Sequence, residues 1–104
     1  MVIVFEDKEL EKLIFEGQSK KYRVYARDKK FLDRLRLIYS YIEPAANTDA
    51  LQSISFLHYE KLKGLGLSSV RIFNNRVERL IFKELDGGIK IIMMELNQNH
   101  YGNL

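Results

Sequence analysis

The sequence has no cysteine and no tryptophan, a single proline, and only two histidines among 104 residues. Without cysteine there can be no disulfide, no zinc–thiolate centre and no thiol nucleophile, a usage that suits a reducing, cytoplasmic setting. Long apolar stretches are missing as well. The run at 91–94 is far shorter than the roughly 20 residues that cross a bilayer, so no membrane partner is expected. The opening Met-Val-Ile-Val-Phe meets Glu6 and Asp7 at once, without the basic flank and cleavage site of a signal peptide. Repeats, low-complexity tracts and linkers are also absent. The expectation is one soluble domain spanning 1–104.

What is present suffices for a packed core. Apolar residues make up 46% of the chain and charged ones 30%, and a domain of this size buries about 60–70% of its unfolded surface. No metal or cofactor is needed to hold it. Net charge is +3, but distribution says more. Residues 1–16 carry five acids against two lysines, whereas 20–36 carry eight lysines and arginines against two aspartates. Clustered positive charge attracts phosphate backbones, although a basic run is more often a solvated face.

The periodicity divides the chain into a helical half and a strand half. Val2, Ile3, Val4 and Phe5 read as a short strand. Asp7 can cap a helix that runs through Glu16, with Leu10, Leu13 and Ile14 on one side and Gly17 as its stop. After a Lys/Arg-rich loop, a second helix over about 28–43 keeps Phe31, Leu35, Ile38 and Ile42 in phase until Pro44 ends it. Asn47 caps a short turn. Strand-like segments then follow at 55–62, 68–73, 77–84 and 89–96, the last two joined by Asp86-Gly87-Gly88. The order indicates an α+β domain: two N-terminal helices packed on one face of a twisted, mainly antiparallel sheet of four to five strands.

Side chains alternate along a strand, so register can be tested by which pairing keeps apolar residues together. A three-residue loop at 74–76 sets Val70 opposite Leu80 and Arg71 opposite Arg79. A three-residue loop at 86–88 sets Phe82 opposite Ile92, Leu80 opposite Met94, Glu84 opposite Lys90 and Arg79 opposite Glu95. One face then carries Val70, Ile72, Leu80, Phe82, Ile92, Met94 and Leu96. The other carries Arg71, Arg79 and Glu95, with Ile81 and Met93 nearby. Opposed arginines repel by about 0.2–1 kcal/mol, which an anion between them would relieve. An ordinary surface network of Arg and Glu is the competing reading.

In order and with short spacings, "LHYEKLKG", "SSVRI", "RLIF" and "IIMMELNQNHYG" resemble the HigB branch of the RelE/ParE toxin superfamily. The resemblance spans roughly 1–102 and is specific for the motifs of 54–101 in combination. It implies a RelE/ParE-like fold and the toxin of a type II toxin–antitoxin pair, one that cuts messenger RNA in the ribosomal A site. It further implies a helix-turn-helix, HigA-like antitoxin as partner. By position, Lys63 corresponds to the lysine of the family's "LKG" element, Arg71 and Arg79 to its strand arginines, and His100 to its C-terminal histidine. Two departures stand out. Glu60 occupies a position where many HigB toxins have histidine, and Gln98-Asn99 replace Asp-Tyr before the final histidine.

Cleavage of RNA without a metal uses the neighbouring 2′-hydroxyl as nucleophile, so a site needs a base, an acid and cations around the phosphate. Arg71 and Arg79 suit charge stabilisation. Lys63 can hold the backbone or share a proton. His100, whose ordinary pKa is about 6.5, is the natural acid or base, and Glu60 can serve as base or orient an arginine. Lys61, Arg76, Glu95 and Tyr101 complete the set as RNA contacts, with no metal ligand among them. His58 precedes Tyr59 in a strand-like segment and reads as packing, as do Tyr22, Tyr25, Tyr39 and Tyr41. Two other readings stay open: a ParE-like toxin that binds DNA gyrase without catalysis, and a plain basic nucleic-acid-binding domain.

Overall fold

Residues 1–98 are described by a computed structural model. Strand β1 (Val2–Phe5) leads into helix α1 (Lys8–Glu16). Asp7 stands in extended backbone, and its Oδ1 accepts from the Glu9 and Leu10 amides at 3.1 and 3.2 Å. Those are donors that a first helical turn leaves without intrahelical partners. Gly17 closes the helix at φ 69°, its amide donating to Leu13 O at 3.1 Å. The basic stretch, expected to be a loop, contains a single helical turn, α2 (Arg23–Ala26). Helix α3 (Lys29–Ile42) follows, capped by Asp28, which accepts from the Phe31 amide at 3.1 Å.

The sheet has five strands in the order β1-β5-β4-β3-β2: β2 is Glu60–Leu62, β3 Leu67–Arg71, β4 Arg79–Leu85 and β5 Lys90–Asn97. β1 runs parallel to β5, and every other pair is antiparallel. Leu10, Leu13 and Ile14 of α1 and Phe31, Leu35, Ile38 and Ile42 of α3 are buried. They share one core with Val70, Leu80, Phe82, Ile91, Met93 and Leu96 of the sheet. The fold class is therefore as the sequence pattern indicates.

Three expectations need correction. First, the segment at 55–62 is a strand only over Glu60–Leu62. Ser55–Leu57 form a 3₁₀ turn, and His58 takes a left-handed conformation at φ 46°. Ile54 and Leu57 lie three residues apart, so a 3₁₀ turn brings both to one side, and Leu57 is fully buried. Second, the β3–β4 register is as expected, with Val70 opposite Leu80 and Arg71 opposite Arg79, but the β4–β5 register is not. Leu85 pairs with Lys90 across a four-residue connection, and the register shifts between Ile81 and Phe82. Phe82 pairs with Met93 and Ile81 with Glu95, so Met94 is the extra residue of a β-bulge. Third, alternation along β5 therefore changes at Met94. Ile91, Met93 and Leu96 face the helices, while Ile92 and Met94 are only half-buried.

The connection before β5 needs its glycine. Gly88 adopts φ +89°, and a Cβ there would lie 2.2 Å from Thr48 Oγ1. Any side chain at this position would force apart the hairpin and the 3₁₀ turn at Thr48–Ser53.

Candidate functional site

On the sheet face away from the helices, β3 and β4 place Arg71 and Arg79 directly opposite one another. Next along β3, two residues before Arg71 and so on the same face, is Ser69, which is buried. Arg79 Nη1 donates to Ser69 Oγ at 3.4 Å and lies 3.6 Å from Glu60 Oε1 on β2. Arg79 is only 5% exposed, whereas the Glu60 side chain is 48% exposed. The ion pair thus joins a buried guanidinium to a carboxylate at the rim. Arg71 turns toward the β3–β4 connection, where its Nη1 donates to Asn74 O at 2.7 Å. Its Nε is buried, and among the described residues nothing accepts from it. A buried guanidinium N–H without an acceptor is costly unless an anion completes it.

On the other side of β4 lies β5. Asn97, not Glu95, pairs with Arg79, which corrects the expected Arg79–Glu95 pairing; the bulge at Met94 is the reason. Glu95 lies opposite Ile81 and accepts from Asn97 Nδ2 at 3.4 Å. One face thus gathers Glu60, Ser69, Arg71, Arg79, Glu95 and Asn97. Ser69 and Asn97 were not anticipated. Ser69 was legible from its i, i+2 relation to Arg71, whereas Asn97 was hidden by the bulge.

The remaining candidates lie elsewhere. Lys61 pairs with Ser68, so it sits on the helix side of β2, opposite in face to Glu60; it does not join the arginines. Lys63 is exposed in the turn between β2 and β3. Arg76 is held by Glu78, with Nε donating to Oε1 at 3.0 Å and Nη2 to Oε2 at 2.8 Å, and its guanidinium covers the Phe31 ring. It thus lies over the core at the β3–β4 connection, apart from the arginine pair. His100 and Tyr101 lie outside the described residues. His58 is exposed, against the expectation of packing, because its left-handed turn directs it away from the core. Tyr59 is the packing member of the pair, stacked on Phe82 at 6.3 Å. Tyr22 and Tyr25 are buried, as expected of packing residues. Tyr22 donates to Asp7 Oδ2 at 2.6 Å and accepts from the Leu96 amide at 3.1 Å, joining the α1 cap to β5.

A second polar cluster lies on the helix side. The Glu84 carboxylate accepts from Thr48 Oγ1 at 2.7 Å and through short bonds from the hydroxyls of Tyr59 and Ser68. Burial pushes this carboxyl up, but the three hydroxyls and the nearby Lys61 charge outweigh it and hold it below the ordinary range. Burial and the bond to Glu84 push the Tyr59 hydroxyl up to about 12. Every oxygen here is answered by a donor, so the cluster pins the 3₁₀ segment to the sheet. Among the described residues, no group of three or more His, Asp and Glu is placed to hold a metal ion. No described helix is long and apolar enough to cross a membrane.

No protein-family model and no curated protein matches the sequence. Among solved structures, a YoeB/ParE toxin from Agrobacterium tumefaciens is similar to this chain, with a TM-score of 0.54 at 14% identity. The match covers 95% of this chain and 99% of that one. The fold is RelE/ParE-like.

Proposed function

We propose that this protein is the toxin of a type II toxin–antitoxin pair and acts as a metal-independent endoribonuclease on messenger RNA in the ribosomal A site. The observation that carries the reading is the Arg71–Arg79 pair. Arg71 and Arg79 stand opposite each other on the sheet face away from the helices, Arg79 buried and tied to Glu60, Arg71 with a buried Nε from which nothing among the described residues accepts. A phosphate diester supplies the acceptor and relieves the repulsion.

In this reading the 2′-hydroxyl of the substrate loses its proton to a base and its oxygen attacks the adjacent phosphorus. The bond to the 5′-oxygen breaks, and an acid returns a proton to that leaving oxygen. Glu60, within reach of Arg79 and half open to solvent, is the described candidate for the base, and His100 is the candidate for the acid. Arg71 and Arg79 stabilise charge on the phosphate, the kind of contribution worth about 10²–10³ in rate. Lys63 approaches from the turn beside β2, and Glu95 with Tyr101 contacts the RNA. The partner is a HigA-like, helix-turn-helix antitoxin, and the chain acts in the cytoplasm.

The test is induction in bacteria while following growth, translation, message ends and plasmid supercoiling. The expected outcome is message cut at A-site codons, with Arg79→Ala relieving growth arrest and still binding the antitoxin. Intact messages with altered supercoiling would replace this reading with that of a gyrase-binding toxin.

A further inference from the structure

Five cations outside the arginine face pair with a carboxylate: Lys8 with Glu11, Lys12 with Glu9, Lys21 with Asp7, Lys29 with Asp33 and Arg76 with Glu78. Lys20, Arg23 and Arg27 have no ion pair among the described residues and are exposed. Arg23 opens α2 and Arg27 caps its end, one helical turn apart. With Lys12 they line a single concavity of about 350 Å³ beside the end of α1. Two carboxylates share it, but Glu9 is already committed. Its Oε1 accepts from the Lys20 amide at 2.6 Å, the Lys21 amide at 3.3 Å and Ser19 Oγ at 3.1 Å, which fixes the loop that carries the cations. Four positive side chains against Glu9 and Glu16 leave the hollow cationic.

We propose that this concavity is a second nucleic-acid contact, one that grips the phosphate backbone of structured RNA on the helix side, away from the arginine pair. The lining decides against an acidic protein. Its only non-polar residues are Gly17 and Ala26, whereas a protein partner anchors on buried aromatic or aliphatic side chains. Val24 is 77% exposed nearby, but a lone apolar residue does not make a patch. The lining likewise carries no aromatic ring for unpaired bases to stack on, so a single strand has little to hold. A duplex, recognised by its backbone and shape, asks only for cations at phosphate spacing. The choice of RNA over other polyanions rests on the function proposed above.

The test is fluorescence anisotropy of a labelled RNA duplex titrated with the whole chain across a salt series. Arg23→Glu/Arg27→Glu should bind about tenfold or more weakly, and its slope of log affinity against log salt should fall by about 2, near 0.9 for each phosphate no longer neutralised. Both residues are exposed and make no ion pair among the described residues, so the thermal melt of the variant should match the parent's. Arg71→Ala/Arg79→Ala should lose toxicity, and adding Arg23→Glu/Arg27→Glu to it should weaken duplex binding by the same further factor as in the parent. Unchanged affinity and slope in the charge-reversed variant would overturn the proposal, and so would displacement of the duplex by oligoglutamate at equal charge. Failure of the nuclease reading would instead show as duplex binding intact without message cleavage.

Discussion

Three hydroxyls converge on Glu84, and the direction in which they move its carboxyl sets how this residue contributes to stability. Its folded pKa is depressed below the ordinary 4.5. The contribution is therefore fully present above 4.5 and is lost as pH falls through the depressed folded value. Glu84→Gln keeps the shape but removes the charge, leaving the hydroxyls of Thr48, Tyr59 and Ser68 with a weaker acceptor. The expected loss at neutral pH is about 1–3 kcal/mol, and the gap to the parent should narrow below pH 4.5. Asp7 and Glu78 are also depressed, but they titrate in both proteins and cancel in the difference. Urea midpoints across the acid range would check this; a gap that stays constant into acid would mean Glu84 acts by shape alone. At the same scale, Arg71 and Arg79 were legible because β3 and β4 alternate without interruption, so a pairing that kept Val70 on Leu80 also matched the arginines.

Elements were legible where a cap or breaker marked them. Asp7, Gly17, Asp28 and Pro44 bound α1 and α3, and each acts through its own backbone chemistry. Where geometry came from contacts distant in sequence, pattern reading failed. The Met94 bulge answers the end of β1: Glu6 and Asp7 donate to Met93 O, and beyond them the Leu96 amide is taken by the Tyr22 hydroxyl. No local signal announces a tyrosine 74 residues away. The two helix caps therefore differ in worth. Among the described residues the Asp28 carboxylate accepts only from the Phe31 amide, so Asp28→Ala should cost about 1 kcal/mol. Asp7 also accepts from Tyr22 and Lys21 at 2.6 and 2.9 Å, so Asp7→Ala should cost roughly 2–4 kcal/mol. A double-mutant cycle with Tyr22→Phe should show coupling of about 0.5–3 kcal/mol. Additive losses would mean that the cap and the β5 anchor are independent.

At the scale of the whole molecule, the first strand finishes the sheet that the last strand enters. β1 lies parallel to β5, covering the edge that β5 would otherwise present, and exposed edges invite pairing between chains. What holds β1 there is side-chain packing rather than length, since it has four residues. Phe5 is 5% exposed, and its ring meets Phe15 at 5.8 Å and Tyr39 at 6.0 Å, one from each long helix. One side chain thus clamps sheet, α1 and α3 together. Phe5→Ala should cost about 3–5 kcal/mol, a large share of the roughly 5–15 kcal/mol typical of a domain. Val2, on the same strand but 57% exposed, should change stability by no more than about 0.5 kcal/mol as Val2→Ala. Because β5 also carries Glu95 and Asn97 onto the arginine face, the Phe5 variant should lose the proposed activity at temperatures where the Val2 variant retains it. It should also sediment as larger species. Urea unfolding and analytical ultracentrifugation of the two variants decide the matter. Equal stability with a monomeric Phe5→Ala chain would show that β5 needs no cover from β1.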